Sequence, residues 1–526
     1  MPNLFFLLVC CLFSIIKAED GFQAWLRYAP LPLHLRNFTD IPKQILVLNS
    51  TSNGSIHTAS RELRSGLQSI LGIDATESFT PQDDHQNYIV IGTLEMITNF
   101  PGPHVSDIGS LKADGFWLST NGPNVEIIGQ SEVGALYGTF EYLSMLAQGN
   151  FTRLAYGSSP AAPVRWVNQW DNMDGSIERG YGGPSIFFEN GSTTTNMSRV
   201  EQYARLLSSV RLNGVVINNV NANPVILKPE NIAGLARIAN SMRPWGVRIG
   251  ITLNFASPET LGGLSTSDPL DPTVIAWWGN VTQDIYREIP DFLGFTIKAS
   301  SEGQPGPLEY NRTLADGANL FASAVEPYGG LVLFRAFIYN LTIQFDDWTG
   351  DRAKHAVDYV APHDGEFKKN VIVQIKYGPI DFQVREPASP LFAHLQETPT
   401  ALELEVSQEY LGQQCHLVYL PPLWRTVMDF DLRVDNQSSL IGSEIVTGHR
   451  FNHSLGGYVA VVNVGTSDSW LGSILAMSNL YAFGQLAWNP KIDDDAILTQ
   501  WTRLSLGLDD QVVAVVTNMS LRSWPA

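Results

Sequence analysis

The chain has 526 residues, of which 44% are hydrophobic and 10% aromatic, with 13 Trp among them. This is a globular composition, long enough for two or three domains with sizeable cores. A net charge of −19 and a pI near 4.9 argue against a nucleic-acid partner, whose phosphates need a basic face, and against adsorption to anionic membranes.

Residues 1–18 read as a signal peptide. The apolar run 4–16 is too short to span a bilayer and is followed by the small residue Ala18. No later segment reaches membrane-spanning length without charges, so the expectation is a secreted, extracellular protein. Cys10 and Cys11 fall in the leader, which leaves Cys415, amid apolar neighbours, as a structural thiol with no disulfide partner. Asn-x-Ser/Thr sequons at Asn37, Asn49, Asn53, Asn150, Asn190, Asn196, Asn280, Asn311, Asn340, Asn436, Asn452 and Asn518 fit a glycoprotein.

Residues 19–158 read as a small α/β sandwich domain. Short strands are expected at 45–48 and 88–91, and a helix at 61–70 capped by Ser60. A hairpin turns at Asn121-Gly122, and a second helix covers 133–146. Nothing in this segment gathers catalytic residue types.

The stretch 157–163, with Pro160 and Pro163, marks a boundary, beyond which strand and helix alternate. Strands are expected at 164–170, 214–220, 248–255, 292–298, 331–339, 371–376, 402–406 and 458–464. Helical patterns at 200–212, 232–242, 274–289, 314–325 and 353–360 separate the earlier ones. Eight such units over 159–490 predict a (β/α)8 TIM barrel. From 491 to 526 a helical C-terminal segment begins.

Barrel enzymes keep their chemistry at the C-terminal ends of the strands, and here those ends are charged. Strand one runs into Trp170 and on to Glu178, strand two ends at Asn218-Asn219-Val220-Asn221, and strand four gives Lys298 and then Glu302 in a Gly/Pro loop. Strands five and six carry Arg335 and Lys376, which leads to Asp381, and strand seven leads to Glu409. The rim therefore collects three acids (Glu302, Asp381, Glu409) and three cations (Lys298, Arg335, Lys376). Paired carboxylates equip a site for glycoside hydrolysis. Three inward cations are costly to bury unless something anionic meets them, either these acids themselves or a substrate with its own carboxylate, such as a uronic acid.

Several motifs strongly resemble glycoside hydrolase family 67, the xylanolytic α-glucuronidases. They are Trp170-Asp171-Asn172-x-Asp174-Gly175-Ser176-x-Glu178-Arg179-Gly180-Tyr181, Ser301-Glu302-Gly303-Gln304-Pro305-Gly306-Pro307, Phe334-Arg335-Ala336-Phe337, Gly378-Pro379-Ile380-Asp381-Phe382-Gln383 with Arg385-Glu386-Pro387, and Gln408-Glu409-Tyr410-Leu411-Gly412-Gln413. The resemblance implies Glu302 as general acid and Asp381 with Glu409 activating the water. It also implies Lys298, Arg335 and Lys376 on the uronate carboxylate, Trp170 and Val220 around the 4-O-methyl group, and Glu178 at the sugar. The implied reaction is hydrolysis, with inversion, of (4-O-methyl)-D-glucuronic acid α-1,2-linked to the non-reducing-end xylose of glucurono-xylooligosaccharides. No cofactor is implied, and the histidines show no metal-ligand spacing.

Family members usually continue well beyond the barrel in a mostly helical domain that carries dimer contacts, whereas this sequence stops at Ala526. That departure puts the dimer in doubt. It also raises a competing expectation, a truncated, weakly active or inactive fragment that only binds acidic xylooligosaccharides. A retaining hexosaminidase-like enzyme is a third reading, disfavoured by the three cations and by the lack of an adjacent Asp-Glu pair on strand four.

Overall fold

A computed structural model of the protein describes residues 20–35, 41–48, 54–81, 87–98, 108–338, 352–383, 385–410 and 417–524. The expected leader, Cys10, Cys11 and Cys415, and the sequons at Asn37, Asn49, Asn53 and Asn340 lie outside the described residues.

Among the described residues six short strands form the first sheet: β1 (Gln44–Val47), β2 (Thr76–Ser78), β3 (Tyr88–Thr93), β4 (Phe116–Ser119), β5 (Val125–Gly129) and β6 (Ala155–Ser158). Their order is β2-β1-β3-β5-β4-β6, with β4 antiparallel to both neighbours. Helices Ser55–Leu71 and Glu132–Ala147 cover one face, while Leu46, Tyr88, Val90 and Ile128 form a separate apolar cluster on the other. The first helix starts six residues before the expected Arg61. Ile56 and Ala59 extend the buried stripe of Leu63, Leu67 and Ile70, so Ser60 sits inside the helix rather than capping it.

Eight parallel strands close the barrel: β7 (Val164–Asn168), β8 (Gly214–Val216), β9 (Arg248–Leu253), β10 (Gly294–Ile297), β11 (Leu331–Arg335), β12 (Val371–Lys376), β13 (Thr400–Glu405) and β14 (Gly457–Val461), which pairs back to β7. The expected TIM barrel is present. Strand two stops at Val216 rather than Val220, because the Asn218 side chain takes over the pairing. It accepts the Thr252 N–H at 2.8 Å and donates to the Thr252 carbonyl at 3.0 Å.

The barrel interior is graded in polarity. Val164, Trp166, Val216, Leu293, Leu333, Ile372, Ala401 and Val459 form a closed apolar floor. Side chains two residues apart on a strand share a face. The next inward positions are therefore Asn168, Arg335, Gln374 and Glu403, and Trp170, Lys376 and Glu405 follow. Gly294 sets this register on β10. Its φ is +121°, and a Cβ there would lie 1.9 Å from the Leu331 carbonyl oxygen. The local irregularity lets Leu293 face inward while Phe295 and Ile297 pack in the outer core, and Lys298 faces inward again.

Helices Met477–Trp488, Asp494–Ser505 and Asp510–Leu521 close the described chain, the last two capped by Asp493 and Asp509. Trp488 ties them to the first sheet by stacking on Phe116 and donating to Ser158 Oγ at 2.9 Å. Three arginines join the sheet domain to the barrel: Arg165 to Asp114 at 2.6 Å, Arg205 to Glu62 at 2.7 Å, and Arg211 to Glu141. Among the described residues no helix is long and apolar enough to cross a membrane.

Candidate active site

The loop after β10 holds Glu302 through its backbone. Ser301 and Gln304 exchange main-chain hydrogen bonds at 3.3 and 2.8 Å, and Ser300, Glu302 and Gly303 have φ values of +51°, +48° and +75°. Gly306 folds so tightly against this turn that a Cβ would meet Ser300 N at 2.4 Å. Glu302 is left 45% exposed at the rim.

Lys298, only 2% exposed, donates to Glu302 Oε2 at 2.6 Å and to Asn221 Oδ1 at 2.8 Å. The Asn221 and Asn219 amides in turn donate to Glu178 Oε2 at 3.4 and 2.9 Å. One chain of contacts therefore runs from Glu178 through Asn221 and Lys298 to Glu302. Val220 stays in the apolar core between these two asparagines.

Arg335 is bidentate to Glu403, with its Nη2 2.7 Å from Oε1 and its Nε 3.1 Å from both oxygens; both side chains are almost wholly buried. Its guanidinium lies 5.8 Å from the Trp170 ring. Lys376 pairs with Asp381. All three cations surround one ring, that of Phe337, with Lys376, Arg335 and Lys298 at 3.3, 5.6 and 5.8 Å from its centroid. Burial pushes both lysines below the ordinary ammonium value, and the nearby Arg335 charge adds to this.

Asp381 stands on a loop ordered by Glu386, whose carboxylate accepts the N–H groups of Ile380, Asp381 and Gln383 at 2.6, 2.7 and 2.6 Å. The Tyr410 hydroxyl donates to Asp381 Oδ2 at 2.7 Å. Glu409 pairs with Arg179, which is 41% exposed. Tyr410 thus links the two loops that carry Asp381 and Glu409.

The expected cations do meet carboxylates of the chain: Lys298 takes Glu302 and Lys376 takes Asp381. Arg335, however, takes Glu403 rather than one of the three rim acids. Glu403 and Glu405 went unassigned in the sequence, although two glutamates on one face of the apolar strand Thr-Ala-Leu-Glu-Leu-Glu are an inward-facing signal. Arg179, Asn221, Phe337 and Tyr410 also complete the site; all lie within motifs or strand ends already visible in the sequence.

A cavity of about 1050 Å³ lies at the opposite end of the barrel, lined by Lys112, Asp114, Arg165, Arg243, Arg248 and Asp291 among others. Arg165 and Arg243 there are held by Asp114 and Asp291, both at 2.6 Å. The convergent acids and cations, not this cavity, mark the candidate site.

An eight-stranded parallel barrel with acids and cations gathered on its C-terminal rim has the layout of a glycoside hydrolase. The glycosyl hydrolase family 67 models match in order along the chain, the N-terminus at residues 24–142, the middle domain at 145–470 and the C-terminus at 471–526. The chain belongs to this family. It is 58% identical to alpha-glucuronidase A of Aspergillus tubingensis over 527 residues and 59% identical to a probable alpha-glucuronidase A of Aspergillus terreus over 513 residues. These alignments cover 100% and 98% of the chain. The chain spans 62% and 61% of the length of those two relatives. Among solved structures, a GH138 enzyme targeting pectin rhamnogalacturonan II aligns over 91% of this chain and 55% of its own, with a TM-score of 0.52 at 12% identity. CpGH84D aligns over 88% and 69%, with a TM-score of 0.53 at 12% identity. These two likenesses concern the fold alone.

Proposed function

We propose that this chain carries the catalytic barrel of an α-glucuronidase. In this reading it hydrolyses the α-1,2 bond between (4-O-methyl)-D-glucuronic acid and the terminal xylose of glucurono-xylooligosaccharides, with inversion. The observation that carries the reading is the cluster of Lys298, Arg335 and Lys376 around Phe337, with Glu302 and Asp381 on its lysines and Glu409 beside Tyr410, which bonds Asp381. Three buried cations in one place suit a ligand that brings its own carboxylate. The names of the Aspergillus relatives support the same chemistry.

The uronate carboxylate sits among Lys298, Arg335 and Lys376, with Trp170 and Val220 flanking the 4-O-methyl group and Glu178 at the sugar. Seated on Lys298, the carboxylate takes that lysine's hydrogen bond from Glu302 and frees Glu302 to reach the leaving oxygen. Glu302 gives its proton to that oxygen as the glycosidic C–O bond breaks. A water attacks the anomeric carbon from the other face and loses its proton to the Asp381–Glu409 pair. Inverting hydrolases keep their acid and base about 6.5–9.5 Å apart to admit this water.

Secretion belongs to the same proposal. The eight sequon asparagines among the described residues (Asn150, Asn190, Asn196, Asn280, Asn311, Asn436, Asn452 and Asn518) are all exposed, as glycan attachment requires.

The test is proton NMR of aldotriouronic acid incubated with the 526-residue chain. Early appearance of the β-anomer of 4-O-methylglucuronic acid is the expected result. Early α-anomer would mean retention. Binding by calorimetry without any release would leave the chain a module that only binds acidic xylooligosaccharides.

A further inference from the structure

Glu405 closes β13 and faces into the barrel on the same side of the strand as Glu403. The two glutamates are treated very differently. Glu403 meets the Arg335 guanidinium at 2.7 Å. Glu405 is wholly buried and meets no cation directly among the described residues; its Oε2 accepts the N–H of Glu409 at 3.2 Å. Its Oε1 is buried with no hydrogen-bond partner among the described residues.

The titratable groups facing Glu405 are Glu409 at the other end of its own loop, Lys376 on β12, Asp381 on the following loop, Tyr181 after β7 and Tyr377 at the end of β12. Lys376 is the one cation of this set, and its ammonium is taken by Asp381. An ionised carboxylate in that position would be buried beside two others with a single amide for support, an expensive arrangement. A neutral carboxyl meets the same geometry at little cost.

The loop from 405 to 410 is tied down elsewhere too. Val406 and Ser407 both donate to the Val461 carbonyl, at 2.8 and 3.2 Å, and Gln408 Nε2 donates to the Phe382 carbonyl at 2.6 Å. Of these ties, the Glu405 carboxyl is the one that engages the Glu409 main chain itself.

We propose that Glu405 is a positioning residue for Glu409. It is an un-ionised carboxyl that accepts the Glu409 amide from below and fixes that residue beside Asp381 without adding a third negative charge. Burial, aided by the charge of Glu409, raises the proton affinity of Glu405 well above the ordinary carboxyl value, which agrees with this state. The inference rests on the hydrolytic reading for its kinetic consequence, but the state and contact of Glu405 can be read without turnover.

Glu405→Gln keeps the size, the neutrality and the acceptor, while Glu405→Met keeps only the size. With aldotriouronic acid, the Gln variant is expected to stay within about threefold of the parent in kcat with an unshifted pH profile. The Met variant is expected to lose on the order of 10²-fold in kcat with little change in KM, the scale of a small misplacement of a reacting group. Hydrogen exchange of the 406–410 segment should match the parent in the Gln variant and run faster in the Met variant. Infrared difference spectra at pH 7 should show a carboxylic-acid C=O band that Glu405→Gln removes.

A Met variant with parental kcat and parental exchange would overturn the positioning role. An acidic limb shifted downward in Glu405→Gln, or no acid band lost, would show Glu405 ionised and overturn the neutral state. If the Met variant does not fold, the Gln profile and spectrum still decide. If the parent chain releases no sugar, the hydrolytic reading fails on its own, and exchange and infrared alone judge Glu405.

Discussion

The two ends of the barrel use the same ingredients for different ends. At the domain junction, Arg165, Arg205 and Arg211 reach Asp114, Glu62 and Glu141 from 51, 143 and 70 residues away. At the C-terminal rim, Lys298 and Lys376 reach Glu302 and Asp381 only four and five residues away. The junction pairs are committed, since each arginine is enclosed by its own chain and holds two domains together. In the rim pair Lys298–Glu302 the cation is buried and the acid remains 45% exposed, so a ligand can displace it. A salt bridge is structural or functional according to whether its acid can leave.

Glu302→Ala tests the rim side of this contrast and should have the largest effect. Hydrolysis is expected to fall 10²–10⁴-fold, the usual worth of a general acid, with the affinity for aldotriouronic acid kept and a smaller stability loss than Glu403→Ala, since Lys298 retains Asn221. A rate close to normal would remove Glu302 from the acid role. Glu403→Ala probes a pair that lies in the site but is enclosed like those at the junction. It strands the buried Arg335 charge, and a loss of about 3–5 kcal/mol in urea unfolding is expected. A loss below about 1 kcal/mol would place Arg335–Glu403 with the displaceable pairs.

Asp171 is a third kind of buried acid, one with no ion pair among the described residues. Its Oδ2 takes the Ser185 hydroxyl, its Oδ1 is buried without a partner among the described residues, and burial pushes its pKa up to about 8. The folded state therefore keeps a proton that the unfolded state sheds near pH 4. Stability attributable to this group is full below that pH and drains away as pH rises toward 8. Asp171→Asn removes the penalty and should stabilise the protein at pH 7 by on the order of 2–4 kcal/mol, with the gain vanishing near pH 4. An equal gain at both pH values would show that the carboxyl is ionised throughout. The smallest expected effect is that of Glu62→Ala at the junction. Loss of its bonds to Arg205 and Tyr28 should cost about 2–3 kcal/mol while kcat at 25 °C stays unchanged. A fall in kcat would mean that the junction speaks to the rim.

The same contrast explains what could be read in advance. The barrel was legible because its strands are apolar runs at regular spacing, and Glu302 and Asp381 because each follows its strand's lysine by a few residues; Glu409 showed only as a carboxylate just past its strand. Strand ends were less legible, as at Asn218, where a side chain replaces the ladder. The junction pairs were invisible, since no local pattern ties Arg205 to Glu62. Glu403 and Glu405 lay between these cases. Their alternation announced an inward face, but only the closed barrel shows that one meets Arg335 while the other takes the Glu409 amide. The leader and Cys415 lie outside the described residues, so the structure adds nothing to those expectations.

The left-handed backbone at Glu302 has a consequence for anyone engineering this protein. A glutamate at a φ of +48° occupies a conformation that glycine or asparagine adopts more readily. Glu302→Gly or Glu302→Asn would relieve that backbone strain while giving up the bond to Lys298, and wherever the relief outweighs the lost pair, selection for heat resistance alone would keep a variant that had discarded its acid. Thermal endurance and catalysis compete here for a single residue, so a stabilisation campaign on this chain must score turnover in every round.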